Sequence, residues 1–149
     1  MNQPEILIVG AGGMGALFGS ILHENGLKVV LYDTNTEHIM AIQQAGLKIE
    51  GYGGNRTIPI AATSNISELE SAEIIIFQCK SHGTRQAAKA VRPLITQESV
   101  CISFQNGLGN EEVMAEELGE DSVMGGLTAM AGVLLEPGKI RDFSRVPSH

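Results

Sequence analysis

Residues 6–19 read ILIVGAGGMGALFG, an apolar run that breaks into five glycines within ten residues and then resumes as an amphipathic stretch. ILIV has no polar alternation, which predicts a strand buried on both faces, as in the middle of a parallel sheet. Gly10, Gly12 and Gly15 carry the spacing G-x-G-x-x-G around Ala11, Gly13 and Met14. In that spacing Gly10 makes the tight strand-to-helix turn, Gly12 lets backbone approach a pyrophosphate, and Gly15 lets the helix close on the strand. The anion would rest on unpaired N–H groups at the helix N-terminus. Gly13 and Gly19 read as packing accommodations.

Outward from this turn, strand-length apolar runs alternate with segments of helical period, the pattern of βαβ units. Strands are predicted at 5–10, 27–33, 72–80 and 99–106, and helices at 14–25, 36–45, 84–91 and 110–118, the first two helices closed by Gly26 and Gly46. Asn110 is the expected N-cap of the last helix, with Glu111 and Glu112 favourably placed in its first turn. Residues 47–51 and 56–63 flank Gly53, Gly54 and Asn55 and predict a hairpin-like excursion at the sheet edge, where Pro59 bars a central strand. Residues 122–135 and 138–143 are joined by Glu136-Pro137-Gly138-Lys139, whose centre suits a type II turn. The expected architecture is α/β: a Rossmann-type, doubly wound, mostly parallel sheet with helices on both faces, spanning 1–149 as one dinucleotide-binding domain.

Composition narrows the function. The 149 residues are 43% hydrophobic with a net charge of −7, enough chain for a real core and no basic stripe to neutralise nucleic-acid phosphates or anionic lipid. No stretch approaches the roughly eighteen apolar residues of a membrane span, and the opening Met-Asn-Gln-Pro-Glu lacks a signal pattern. Cys79 and Cys101 sit in apolar runs and read as reduced core thiols. The expectation is a cytoplasmic protein acting on a small molecule, with no nucleic-acid or membrane partner. No Cys/His/Asp spacing suggests a metal, and no Gly-x-Ser-x-Gly elbow suggests a hydrolase.

Asp33 ends the second strand at the distance expected for the ribose-binding acid of such a fold. Its carboxylate can accept from the adenosine ribose hydroxyls and would repel a 2′-phosphate, and no arginine occurs in the next twenty residues. The cofactor expected is NAD(P)H, with NAD(H) favoured. Asp33 could instead cap the helix beginning near Thr36, unless Asn35 does so. Lys80 and Asn106 end the predicted strands at 72–80 and 99–106, at the carboxyl edge where open α/β sheets bind ligands. Lys80 can pair with a phosphate or carboxylate; Asn106 offers a donor and an acceptor, followed by Gly107 and Gly109, which let a loop turn sharply beside a ligand. A solvated strand-end lysine and a turn-forming asparagine would look the same. His82 reads as a loop histidine, and His23, His38 and His149 as surface residues.

At these residues the chain resembles the ketopantoate reductase (2-dehydropantoate 2-reductase) family. The resemblance rests on the N-terminal glycine turn, the lysine after the fourth strand, the QNGLGN-EE segment from residue 105, and the G-L-T…PGKI passage near the end. It implies that Lys80 and Asn106 lie near the nicotinamide and the substrate. It further implies that NAD(P)H reduces the ketone of ketopantoate, a 2-oxo acid, to pantoate for pantothenate and coenzyme A synthesis. Asp33-Thr34-Asn35 stands where family members that use NADPH often carry an arginine. The family also has a second, helical domain that supplies a lysine general acid and a substrate-holding carboxylate. The 149 residues are therefore expected to be a truncated dinucleotide-binding domain lacking the substrate and dimerisation domain. As such they would bind cofactor, turn over little, and self-associate through an uncovered docking face. A dehydrogenase of another 2-oxo or 3-hydroxy acid or a sugar phosphate, and a non-catalytic NAD(H)-binding or redox-sensing module, fit the same glycine turn.

Overall fold

The computed structural model describes residues 2–105 and 108–144. In chain order the elements are β1 (Ile6–Val9), α1 (Gly13–Glu24), β2 (Val29–Tyr32), α2 (Thr36–Ala45), β3 (Leu47–Gly51), β4 (Arg56–Ile58) and β5 (Ala61–Thr63). They continue as β6 (Ile74–Phe77), α3 (Thr84–Val91), β7 (Val100–Ser103), α4 (Asn110–Leu118), β8 (Val123–Gly125), β9 (Gly132–Glu136) and β10 (Lys139–Asp142). Six strands form the main sheet in the order β5-β2-β1-β6-β7-β8, with every neighbouring pair parallel. Its strands, counted in chain order, stand 3-2-1-4-5-6, the doubly wound Rossmann order.

The unbroken apolar runs are explained by two-sided burial. Ile6 and Ile8 join a cluster with Leu17, Leu31, Ile39 and Ile42 on the α1/α2 side. Leu7 and Val9, on the opposite side of the pleat, join Ile75, Phe77, Ala88 and Met114 beneath α3 and α4. A period of two therefore persists in space while both phases are apolar in sequence. Both α3 and α4 cover the spans expected for them.

The C-terminal third and residues 47–63 depart from expectation. The excursion at 47–63 is not an edge appendage of the main sheet: β3 and β4 pair antiparallel, and β3 then pairs parallel with β10, giving a separate four-stranded sheet β4-β3-β10-β9. Residues 56–63 split around Pro59, β4 going to this sheet and β5 to the edge of the main one. Residues 122–135 split likewise into β8 and β9, one in each sheet. The second sheet forms because Leu47, Ile49, Ile58 and Ile140 present one buried face to the α1/α2 cluster. Across its exposed side Glu50 pairs with Lys139 at 3.2 Å and with Arg141. Hydrogen bonds from Lys139 and Arg141 hold the Glu50 carboxyl below the usual carboxylate range.

Asn110 is not the N-cap of α4. Gly109, at φ +85°, occupies that position, and Asn110 is the first helical residue. The Asn110 side chain is buried and accepts a hydrogen bond from the Thr84 hydroxyl at 3.1 Å, tying α4 to α3 instead of closing its own helix. Among the described residues no helix is long and apolar enough to cross a membrane.

Candidate functional site

The strand order reverses between β1 and β6, and a cleft of about 770 Å³ opens there at the carboxyl ends of the strands. Gly12, Met14, Asp33, Gln78, Lys80 and His82 are among the residues that line it. At φ +102°, Gly10 turns the chain from β1 toward α1, and a Cβ there would lie 2.7 Å from Cys79 Cα. Gly15 packs against the carbonyl of Gly10, which a side chain would overlap, and lies against Ile8. Gly12 differs from both: a Cβ there meets nothing within 4 Å among the described residues. No side chain caps α1 at Gly12, and its first turn holds no acidic residue. A bare helix N-terminus beside an open glycine suits the phosphates of a dinucleotide.

The Asp33 carboxylate braces this turn. Its Oδ2 accepts the Ala11 N–H at 2.7 Å and its Oδ1 accepts the Asn35 N–H at 2.9 Å. Asn35, not Asp33, caps α2, accepting the His38 N–H at 3.2 Å. Burial, and next the negative charge of Asp33, push the neighbouring Tyr32 phenol above its ordinary value. Asp33 is half-buried and lines the cleft, so its remaining lone pairs are within the site.

His38 corrects the surface reading. It is buried, with Nε2 2.7 Å from the Ala11 carbonyl oxygen and Nδ1 accepting the Gly138 N–H at 2.9 Å. An imidazole can be buried when both ring nitrogens are satisfied, and here two backbone groups satisfy them. Of the other histidines read as surface residues, His23 is half-buried, and His149 lies outside the described residues.

Lys80 is exposed at the cleft, and its carbonyl accepts the Gly83 N–H at 2.8 Å in a short 3-10 turn that also holds the exposed His82. Asn106 and Gly107 lie outside the described residues. Gln105, not singled out in the sequence, lies just before them. Its Nε2 donates to the Cys79 carbonyl at 2.8 Å and to the Thr84 hydroxyl at 2.8 Å, while Ser103 Oγ donates to its Oε1 at 3.0 Å. This amide staples the end of β7 to the segment bearing Lys80. Its sequence signal was position alone: a polar residue two steps past the end of β7. Gln78, also on the cleft, has a buried Nε2 with no hydrogen-bond partner among the described residues. Both cysteines are free thiols: Cys101 is in the core as expected, and burial pushes it up to about 11. Cys79 is half-buried and lines the cleft, and its thiol too is raised by burial.

Known proteins resemble this chain in sequence and fold. The family model of ketopantoate reductase PanE/ApbA matches residues 6–145. A 2-dehydropantoate 2-reductase of Pyrococcus abyssi is 35% identical over 137 residues, covering 92% of this chain and 44% of that protein. A PanE/ApbA family ketopantoate reductase from Ralstonia eutropha superposes with a TM-score of 0.87 at 28% identity, covering 94% of this chain and 46% of the other. D-mandelate dehydrogenase, in a ternary structure with NADH and anilino(oxo)acetate, superposes equally well, with a TM-score of 0.87 at 28% identity over 93% of this chain and 45% of its own. The chain thus spans under half the length of these relatives. With the family model running from β1 past the end of β10, through both sheets and the cleft between β1 and β6, this chain belongs to the ketopantoate reductase family.

Proposed function

We propose that this chain is the cofactor-binding part of an NAD(P)H-dependent reductase of a 2-oxo acid, with ketopantoate as the substrate and pantoate as the product. The observation that carries the reading is the open glycine at the bare N-terminus of α1, set in one cleft with Asp33 and Lys80. In this reading the turn at residues 10–15 holds the pyrophosphate through its backbone N–H groups, and Asp33 accepts from the adenosine ribose. A nicotinamide cofactor, when bound, supplies the hydride for the carbonyl carbon. Lys80 presents its ammonium to a cofactor phosphate or to the substrate carboxylate, and Gln105 holds the strand end from which Asn106 would reach the same region. Asp33 favours NAD(H) over NADP(H), because a 2′-phosphate would meet like charge at short range. Arg56, which could have supplied a distant cation, is paired with Glu24 at 3.1 Å.

Membership of the ketopantoate reductase family favours ketopantoate. The likeness to D-mandelate dehydrogenase favours a second reading, reduction of an aromatic 2-oxo acid at the same cleft. Reduction of a ketone leaves charge on oxygen that needs a positioned proton donor in a closed site. We further propose that this donor comes from outside these 149 residues, since the Pyrococcus abyssi and Ralstonia eutropha relatives are more than twice as long. The chain alone would then bind cofactor and turn over little, and would self-associate through exposed apolar side chains such as Leu108, Met124 and Leu127 beyond or within β7 and β8.

The test is an NADH fluorescence titration of the chain and of Gly12→Val. Because a Cβ at Gly12 meets no neighbour, the variant should keep its fold, read by circular dichroism, and lose NADH binding. Equal affinity in the two proteins overturns the dinucleotide reading.

A further inference from the structure

His38 has no role in the reading above, yet it is fully buried beside the glycine turn and both of its ring nitrogens are engaged. Gly138 N–H points at Nδ1, so Nδ1 is an acceptor and Nε2 carries the proton, which it donates to the Ala11 carbonyl at 2.7 Å. The N–H of the same Ala11 is held by Asp33 at 2.7 Å. Both peptide planes that meet at Ala11 are thus clamped, one by a carboxylate from the end of β2 and one by an imidazole from α2.

We infer that His38 is a positioning residue that aims the Gly12 N–H at the bound pyrophosphate by holding the Ala11 carbonyl from behind. The inference rests on the dinucleotide reading of the cleft. Its physical basis is the planar trans peptide, in which C=O and N–H point in opposite directions. The Ala11 carbonyl and the Gly12 N–H belong to one such plane. With the carbonyl drawn into the core toward His38, the Gly12 N–H is directed away from it, and Gly12 lies on the cleft wall. A hydrogen bond accepted at the carbonyl also polarises that peptide and strengthens its N–H as a donor. Gly138, in the turn between β9 and β10, holds the imidazole in place; its own carbonyl accepts the Lys48 N–H of β3 at 2.8 Å. The second sheet thereby orients the donor of the first.

Two amide substitutions separate the halves of this arrangement. A glutamine reaches the Nε2 position and keeps a donor for Ala11; an asparagine reaches only the Nδ1 position and keeps an acceptor for Gly138. His38→Gln, His38→Asn and His38→Leu are titrated by calorimetry with ADP-ribose, which carries the pyrophosphate without the nicotinamide. In parallel, the Gly12 amide resonance is followed by NMR, and melting temperatures are recorded. ADP-ribose affinity is expected to fall about tenfold in His38→Asn and His38→Leu and to stay within about threefold of the original in His38→Gln, as for the loss of one hydrogen bond to a charged ligand. The Gly12 amide should shift in the first two and hold in the third, whatever the order of melting temperatures. Should His38→Leu fail to fold, the Asn and Gln variants decide. If His38→Asn binds like the original protein, or His38→Gln loses as much as His38→Asn, the inference is overturned and the dinucleotide reading stands. Failure of the unsubstituted protein to bind ADP-ribose overturns both.

Discussion

Gly13 and Gly132 meet backbone to backbone: a Cβ on either would overlap the carbonyl of the other. Gly132 also turns its N–H to the Met14 sulfur at 3.2 Å. The first residue of β9 is thereby packed against the first turn of α1, although the two lie far apart in the chain. Packing this close leaves no room for a side chain at either position.

Gly132→Val should therefore be costly. Inserting a branched side chain into a filled contact destabilises by roughly 1–3 kcal/mol, and because the intrusion presses on Gly13, NADH binding should weaken as well. Gly83→Ala is the comparison, since a Cβ there meets nothing within 4 Å. Urea unfolding should give a clearly lower midpoint for Gly132→Val and an almost unchanged one for Gly83→Ala. Equal midpoints would mean that β9 is free to move off α1.

Asp33 should set cofactor preference. Loss of a ribose hydrogen bond together with repulsion of the 2′-phosphate amounts to about 1–3 kcal/mol at a half-exposed site, or roughly ten- to hundredfold in affinity for NADH over NADPH. Asp33→Asn removes the charge and replaces one acceptor oxygen with a donor, so one of the Ala11 and Asn35 N–H bonds is lost. Calorimetry with both cofactors should show weaker NADH binding and a smaller ratio in the variant. Tighter NADPH binding by the unsubstituted protein would count against the role given to Asp33.

Alkaline stability should report Cys101. Its thiol is pushed up to about 11 by burial, from an ordinary 9.0. The folded protein therefore holds the proton more tightly than the unfolded chain. Stability from this source is complete below about pH 9 and is lost as pH rises toward about 11, with an upper bound of about 3 kcal/mol. Tyr32 and Cys79 shift in the same direction and add to the slope. Denaturant midpoints measured from pH 8 to pH 11 should fall, and Cys101→Ala should fall less steeply from a lower start. Parallel curves for the two proteins would contradict the assignment of the slope to Cys101.

Much of the main sheet and several residues of the cleft are legible in the sequence. The ILIV run at residues 6–9, the glycine spacing after it and Asp33 at the end of β2 are local signals, because burial on two faces and a tight turn each demand particular residue types in consecutive positions. Lys80 was legible for the same reason, as a charge at the end of the apolar run at 72–80. Gln105 escaped because its importance lies in partners from two other segments, Cys79 and Thr84.

By itself the sequence determined the βαβ alternation, the parallel order of short apolar strands and the glycine turn, all of which follow from periodicity and from backbone conformations open to few residues. Only the tertiary structure decided that β3, β4, β9 and β10 form a sheet of their own, that Pro59 divides two strands belonging to different sheets, and that His38 is buried. The reason is range. The pairing of Lys48 with Lys139 and the bond from Gly138 to His38 join residues about a hundred positions apart, and whether such groups meet depends on which apolar faces remain to be covered once the local elements have formed.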